Sequence, residues 1–581
     1  MNVKAELERR ISAALESAGA APGSPALVAT SARAELGDYQ ANGVMAAAKA
    51  LKTKPRELAD KVVAAADLST LAGKLEVAGP GFINVRLAPA WLAQQTTSLL
   101  ADEHLGVNQP ANPQTIVIDY SHPNLAKEMH VGHLRSTIIG DALARVLEFC
   151  GLNVIRQNHV GDWGTQFGML LAYMERLAAS GQEYSGELSD LEEFYVKAKR
   201  LFDADPAFAD VARKYVFELQ SGIGSLHDRL IELWRQYVGT SLGHCQQVYD
   251  RLNVSLTAKD LRGESAFNDD LPKVVEELKA KGLLTESQGA QCVFLPEFKA
   301  KDGEPLPVIV QKSDEGYLYA TTDLAAMRYR VGTLHANRLL YVVDARQTLH
   351  LRQVFAVGKI AGFLPDNVSV EHAGFGVMLG KDGKPFKTRA GGTVKLMDLL
   401  EEAVKRAYDL VSAKSPELSE EQRREIARIV GIGAVKYADL SQNRTSDYVF
   451  SWEKMLSLEG NTAPYMQYAY ARIKSIFRKA GVNEADLSGP IVVTEAAERA
   501  LAVKLVQFPE TIAAVAADCT PNVLCAYLYD LAGAFMGFYE NCPVLQSEEP
   551  TRSARLMLCK LTARTIKTGL GLLGIDTAEQ M

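Results

Sequence analysis

Cysteine is sparse and nowhere paired. The seven residues (Cys150, Cys245, Cys292, Cys519, Cys525, Cys542 and Cys559) are scattered without a CxxC spacing. An odd, dispersed set argues against a disulfide framework and a zinc site, and it fits reduced thiols in a cytoplasmic protein. No HExxH pattern offers a metal site instead. No uninterrupted apolar run reaches the ~18 residues that a membrane span needs, so no membrane association is expected. Met1 to Gly19 carries acidic and basic residues throughout and lacks the apolar centre of a signal peptide. An excess of positive charge is missing too: the formal net charge is -7, so affinity for nucleic acid would have to come from locally basic faces.

What is present is ordinary in bulk, with 47% hydrophobic and 23% charged residues. A chain of 581 residues is too long for one core, and three or four domains are expected. Residues 1–108 read as a small α+β domain: an amphipathic helix, a Gly37-Asp38 turn leading into a second helix, and strand character between Lys74 and Leu87. Asn108 to Gln114, NQPANPQ, has the composition of a linker. Residues 115–392 alternate strands and helices, with strands at Pro307 to Gln311, Leu339 to Val343 and Asn367 to His372. That order predicts an α/β domain with a doubly wound, Rossmann-like parallel sheet. A helical insertion with charged, solvated faces interrupts it at about 181–254, and residues 393–581 read as all-α.

The densest chemistry lies in residues 116–164. Ile116 to Tyr120 alternates like a strand, Leu134, Ile138, Ile139, Leu143, Val146 and Leu147 recur at helical spacing, and Asn153 to His159 forms the next strand. Five of the ten histidines lie between His104 and His159, and His130, Gly132 and His133 share the first helical turn. Backbone N–H groups at a helix start favour anions, glycine admits a phosphate close to the main chain, and two imidazoles can donate to it. The alternative is half of a metal site or a surface pair, although no further ligands stand nearby.

His130-Val-Gly-His133 resembles the HIGH signature of class I aminoacyl-tRNA synthetases. The longer PNLAKEMHVGHLRST and NHVGDWGTQFG closely resemble the arginyl-tRNA synthetase family, in its bacterial form, and the similarity runs to Met581. The resemblance implies an ATP-dependent ligase that forms arginyl adenylate and pyrophosphate, then transfers arginine to the 2′-hydroxyl of the terminal adenosine of tRNA(Arg). It further implies that bound tRNA is needed for activation and that the protein is a monomer. The family's fold implies an N-terminal domain at the tRNA elbow and an α-helical anticodon-binding domain at the C-terminus. Magnesium would arrive with ATP, and no dedicated protein site for a metal is expected.

Such a reaction needs no protein nucleophile; carboxylate and phosphate must be aligned and developing charge stabilised. His130 and His133 fit as donors, Gly132 as the close approach, and Lys127 as a mobile cation at the same junction. The second family signature, a KMSKS loop, is matched by GVMLGKDGKPFKTRAGGTV, where Thr388 replaces the usual second lysine. Lys384, Lys387 and Arg389 still supply cations for ATP, and Lys127 is expected to take over the missing lysine's task. A planar, permanent guanidinium is best held by carboxylates, and Asp119 and Asp323 are the candidates. Their structural alternatives are a strand-end carboxylate and a helix N-cap. The resemblance adds Asn124, Tyr319 and Gln347, and Tyr319 and Asp323 are spaced to share one helical face.

For tRNA, the resemblance points to Phe82 and Asn84 in GPGFIN, and to Tyr468, Tyr539 and Met581 near the C-terminus. Phe82 reads equally as a core residue. The basic run Lys560, Arg564 and Lys567 accompanies the C-terminal group. The rivals are a class I enzyme for another amino acid, a catalytically silent tRNA-binding relative and a simple nucleotidyltransferase.

Overall fold

The computed structural model describes residues 1–31, 33–181, 191–221, 223–313, 315–386 and 394–581. The N-terminal lobe is an antiparallel sheet in the order Val28–Thr30, Tyr39–Ala41, Phe82–Leu87, Ala72–Ala78. Helix Val3–Ser17 packs on it through Val3, Leu7, Ile11, Ala14 and Leu15, the buried stripe its spacing predicts. The Gly37-Asp38 turn leads first into a short strand and only then into helix Val44–Leu51.

The second unit is built on a four-stranded parallel sheet in the order Ser369–His372, Arg338–Tyr341, Thr115–Asp119, Asn153–Gln157. The chain enters at Thr115–Asp119, crosses through helix Val131–Phe149 to Asn153–Gln157, and later continues on the opposite side of the first strand. The strand order therefore reverses between Thr115–Asp119 and Arg338–Tyr341, where open α/β sheets bind ligands. Period-two alternation feeds a core on each face: Ile116, Ile118, Leu340 and Val342 enter one, Val117, Leu339 and Tyr341 the other. Helix Val131–Phe149 lies close because Gly140 has no side chain; a Cβ there would stand 2.3 Å from Tyr120.

Two insertions leave this sheet. The first continues helix Thr165–Ala179 into helices Leu191–Ala204, Pro206–Ser221 and His227–Arg251. The second contains helix Leu271–Ala280 and an antiparallel sheet of Thr285–Ser287, Ala290–Lys299 and Pro305–Gln311. Pro307 to Gln311 is thus a strand, but not one of the parallel sheet as expected. It is an edge strand whose Pro305 and Pro307 lack N–H donors, and it buries Val308 and Val310 while Ile309 faces out.

The C-terminal region is helical, from Leu396–Lys414 and Glu420–Leu440 to Thr551–Leu572. Ser419 and Gln422 close a capping box, Thr462 caps Ala463–Ala480, and left-handed Gly481 ends it. Strand Tyr448–Val449 pairs in parallel with Met378–Leu379, so this region also braces the second unit. It shares a hydrophobic core with the N-terminal lobe, and specific polar bonds join the two: Arg499 pairs with Asp38 at 2.6 Å, and Arg564 donates to the carbonyls of Leu100 and Asp102. The apolar stretch Ala496–Asp518 is long enough to span a membrane, but it breaks at Gln507 into two helices and is largely buried in the core.

Candidate active site

At the carboxyl end of strand Thr115–Asp119 the backbone turns sharply, with Ser121 and His122 at φ 79° and 52°. Left-handed backbone at non-glycine residues persists only where neighbours over-determine it. Here the Ser121 N–H donates to Ser136 Oγ, whose hydroxyl donates to the Val342 carbonyl, and the Ser121 hydroxyl bonds those of Thr137 and Tyr249. The loop that follows delivers His130 to the N-cap of helix Val131–Phe149.

The two histidines lock one another. Gly132 N–H donates to His130 Nδ1 at 3.0 Å, and His130 N–H donates to His133 Nδ1 at 3.1 Å. An Nδ1 that accepts leaves the ring proton on Nε2, so each imidazole is a fixed Nε2–H donor. Burial, then the nearby Lys127 charge, lowers the His130 pKa; burial, then His130, brings His133 down to about 3. Both rings are neutral at physiological pH. Gly132 is required by this packing, since a Cβ would lie 2.7 Å from His130 Cε1.

His130, Gly132 and His133 open onto a cavity of about 540 Å³ over the sheet's reversal point. Asp119, Asn124, Tyr319, Asp323 and Gln347 line the same cavity, so these candidates from distant segments converge. Helix Tyr319–Gly332 has Leu318 at its N-cap, with no side-chain cap hydrogen bond. Asp323 is therefore inside the first turns and is not an N-cap. Its Oδ2 lies 2.6 Å from His350 Nε2, and that bond raises the His350 pKa.

Asp119 has a partner already. Its Oδ2 meets Arg330 Nη2 at 2.6 Å, while Oδ1 lies 3.4 Å from His122 Nε2. Burial alone would raise the Asp119 pKa, but Arg330, His122 and His159 outweigh it and hold the carboxylate ionised. Glu264 is a cavity carboxyl that sequence reasoning missed. Burial first, then Asp162 and Asp323, pushes its pKa up to about 8. It is placed by long-range bonds, Glu264 N–H to the Val160 carbonyl and Ser265 to Asp162, that no local pattern announces.

The cations are less concentrated than expected. Lys127 is not on the cavity wall; its ammonium lies 4.3 Å from the centroid of the Tyr195 ring. Lys384 is exposed at a turn, clear of the cavity, and Lys387, Thr388 and Arg389 lie outside the described residues. Among the described residues no cluster of three or more His, Cys, Asp or Glu side chains forms a metal site.

The remaining candidates fall elsewhere. Phe82 is half-buried, and Asn84 is buried with Oδ1 accepting from Gln40 Nε2 at 2.8 Å. Tyr468 and Met581 come together on a second cavity of about 390 Å³ beside Lys414 and Glu459. Arg472 donates to the Tyr468 hydroxyl and covers the Tyr539 ring at 5.0 Å, linking Tyr539 to Tyr468. The expected basic run does not form a free face: Lys560 and Arg564 donate to buried-side carbonyls, and Lys567 lies 5.9 Å from the Tyr470 ring.

Comparison with known proteins agrees over the whole chain. Residues 95–452 match the family described as tRNA synthetases class I (R), catalytic domain. Residues 5–87 match the arginyl tRNA synthetase N terminal domain, and 466–581 the DALR anticodon binding domain. The arginine--tRNA ligase of Hahella chejuensis is 60% identical over 582 residues, covering 100% of both chains. The arginyl-tRNA synthetase structure from Plasmodium falciparum superposes with a TM-score of 0.86 at 30% identity, over 100% of this chain and 99% of that one. That from Thermus thermophilus gives 0.83 at 27%, covering 100% of each. With family models matching along the chain and full-length relatives at up to 60% identity, this chain belongs to the arginyl-tRNA synthetase family of class I aminoacyl-tRNA synthetases.

Proposed function

We propose that the protein is an arginine:tRNA ligase that activates arginine with ATP and esterifies tRNA(Arg). The observation that carries this reading is one cavity lined by two neutral Nε2–H donors, His130 and His133, together with the carboxyl groups of Asp323 and Glu264. Neutral donors stabilise charge that builds on the α-phosphate without binding ground-state anions as tightly as cations would. Gly132 lets the phosphate approach the main chain. ATP enters with its magnesium, and Lys127, Lys384, Lys387 and Arg389 serve the β- and γ-phosphates.

Asp323 and Glu264 take the guanidinium, with Tyr319 and Gln347 closing around it and Asn124 toward the amino-acid head group. Asp119 contributes its field and its Oδ1 from behind, its other oxygen being committed to Arg330. A lysine side chain leaves part of this acceptor set unpaired, so selection does not require a separate editing step. Residues 115–392 carry the chemistry, with arginine passed to the 2′-hydroxyl of the terminal adenosine. Residues 1–108 meet the tRNA elbow through Phe82 and Asn84, and 393–581 read the anticodon through Tyr468, Tyr539 and Met581. Bound tRNA completes the activation site, and the enzyme works as a cytoplasmic monomer.

The test is ATP–pyrophosphate exchange across the standard amino acids, with and without unfractionated tRNA. Exchange with arginine alone, dependent on tRNA, is expected. Exchange with a different amino acid overturns the pocket assignment, and folded protein that binds tRNA without any exchange points to a silent relative.

A further inference from the structure

The first helical insertion has no part in the chemistry above, yet it grips the loop that carries Lys127. Tyr237, in helix His227–Arg251, donates its hydroxyl to the Ala126 carbonyl at 3.0 Å. Tyr195, in helix Leu191–Ala204, offers its ring to the Lys127 ammonium. From the other side Lys395 pairs with Glu128 at 3.0 Å, Val131 N–H donates to the Val394 carbonyl, and Leu396 N–H donates to the Met129 carbonyl. The backbone flanking Lys127 is thus tied on both sides, and the freedom left is in its four-carbon stem.

That stem ends at the Tyr195 ring and is not part of the cavity wall. Lys127 has no carboxylate partner among the described residues, and its ammonium is held by a ring face. Its charge is still felt at His130, whose pKa is lowered first by burial and then by Lys127. A cation over tyrosine is held by a quadrupole, an attraction that an approaching phosphate, with full negative charge, outcompetes.

We propose that Tyr195 is the resting dock of Lys127: in the tRNA-free chain its ring holds the ammonium off the phosphate subsite, and the helical insertion thereby sets how readily Lys127 reaches ATP. Tyr195 is a positioning residue, acting through Lys127, and the inference rests on the reading that Lys127 serves the phosphates. A ligand that prefers the undocked lysine must supply the undocking free energy, so ATP affinity reports the dock directly.

The experiment is equilibrium binding of magnesium ATP to the full chain without tRNA. Tyr195→Leu keeps an apolar side chain against the core and removes the ring, and it is expected to tighten ATP about fivefold, equivalent to about 1 kcal/mol. Tyr195→Phe retains the ring face and the parent affinity. Tyr195→Trp, the stronger cation–π partner, is expected to weaken ATP, a change of opposite sign that misfolding of the leucine variant cannot imitate. In a Lys127→Ala background all three substitutions are silent. Unchanged or weaker binding in Tyr195→Leu, or tighter binding in Tyr195→Trp, overturns the dock. If Lys127→Ala alone alters neither ATP binding nor exchange, the underlying reading of Lys127 fails instead.

Discussion

Arg330 Nη2 lies 2.6 Å from Asp119 Oδ2, with both side chains almost sealed from solvent. The carboxylate that the strand end delivers to the cavity is therefore neutralised from inside the protein. Arg330 Nε also donates to Gln157 Oε1 at 2.6 Å, which ties two neighbouring strands of the sheet to helix Tyr319–Gly332. The pair fixes the helix that carries Tyr319 and Asp323 against the strand that leads to His130.

Asp119→Asn is accordingly expected to cost stability before it costs substrate recognition. Removing one member of a buried ion pair strands the other, typically at about 3–5 kcal/mol. The urea midpoint should fall markedly, with residual arginine KM changes secondary. A variant with the parent midpoint and only a raised arginine KM would show that Asp119 acts on the substrate directly.

Glu264 makes arginine binding proton-linked. With its pKa raised to about 8 it is protonated at neutral pH, whereas a guanidinium favours the ionised form. Arginine affinity should therefore rise with pH and level off above about 8, and binding at pH 7 should release close to one proton. Titration calorimetry in two buffers of different ionisation enthalpy measures that proton. Glu264→Gln should abolish the release and weaken arginine about tenfold or more; a pH-independent affinity in the parent would remove Glu264 from the pocket.

Gly132→Ala tests the histidine geometry without touching an imidazole. The added methyl would stand 2.7 Å from His130 Cε1, so the ring must leave the position in which Nδ1 accepts from the Gly132 N–H. Loss of one preorganised donor costs about 10²–10³ in rate. Exchange kcat is expected to drop by that order while far-UV circular dichroism and the thermal midpoint stay close to the parent. An active Gly132→Ala enzyme would mean that the His130 orientation is dispensable.

The histidine turn was legible in the sequence because everything it needs is local: a β-alternating run, a cap, a glycine and a helical stripe within some thirty residues. Tyr319, Asp323 and Gln347 were legible by resemblance, and the cavity does gather them. What periodicity could not reveal is what long-range closure decides. Asp119 and Arg330 meet across the sheet, Glu264 is hung from Val160 and Asp162, and Lys127 meets Tyr195 only because the insertion folds back. Pro307 to Gln311 carried a valid strand signal, but a strand's sheet is chosen by its neighbour, and Ala290–Lys299 was not recognised. The cationic helix face at Lys560 and Arg564 failed for the same reason, since both side chains find carbonyl acceptors on other segments.

A last prediction concerns the joint between the N-terminal lobe and the C-terminal helices. Glu510 Oε2 accepts from the Tyr39 hydroxyl at 3.0 Å and from the Lys4 N–H at 3.1 Å. Burial outweighs both bonds and raises the Glu510 pKa from 4.5 to about 7. A carboxyl whose pKa is raised on folding holds its proton more tightly in the native state, so its contribution is fully present below about 4.5 and is lost as pH rises through about 7. Between pH 5.5 and 8 the parent should lose stability relative to Glu510→Gln, by at most about 2 kcal/mol, because glutamine remains neutral throughout. Urea unfolding of both proteins at the two pH values, followed by a probe in the N-terminal lobe, measures the difference. Parallel pH dependence in the two proteins would mean that water or a rearranged lysine already solvates the ionised carboxylate, and that the lobe contact is insensitive to its charge.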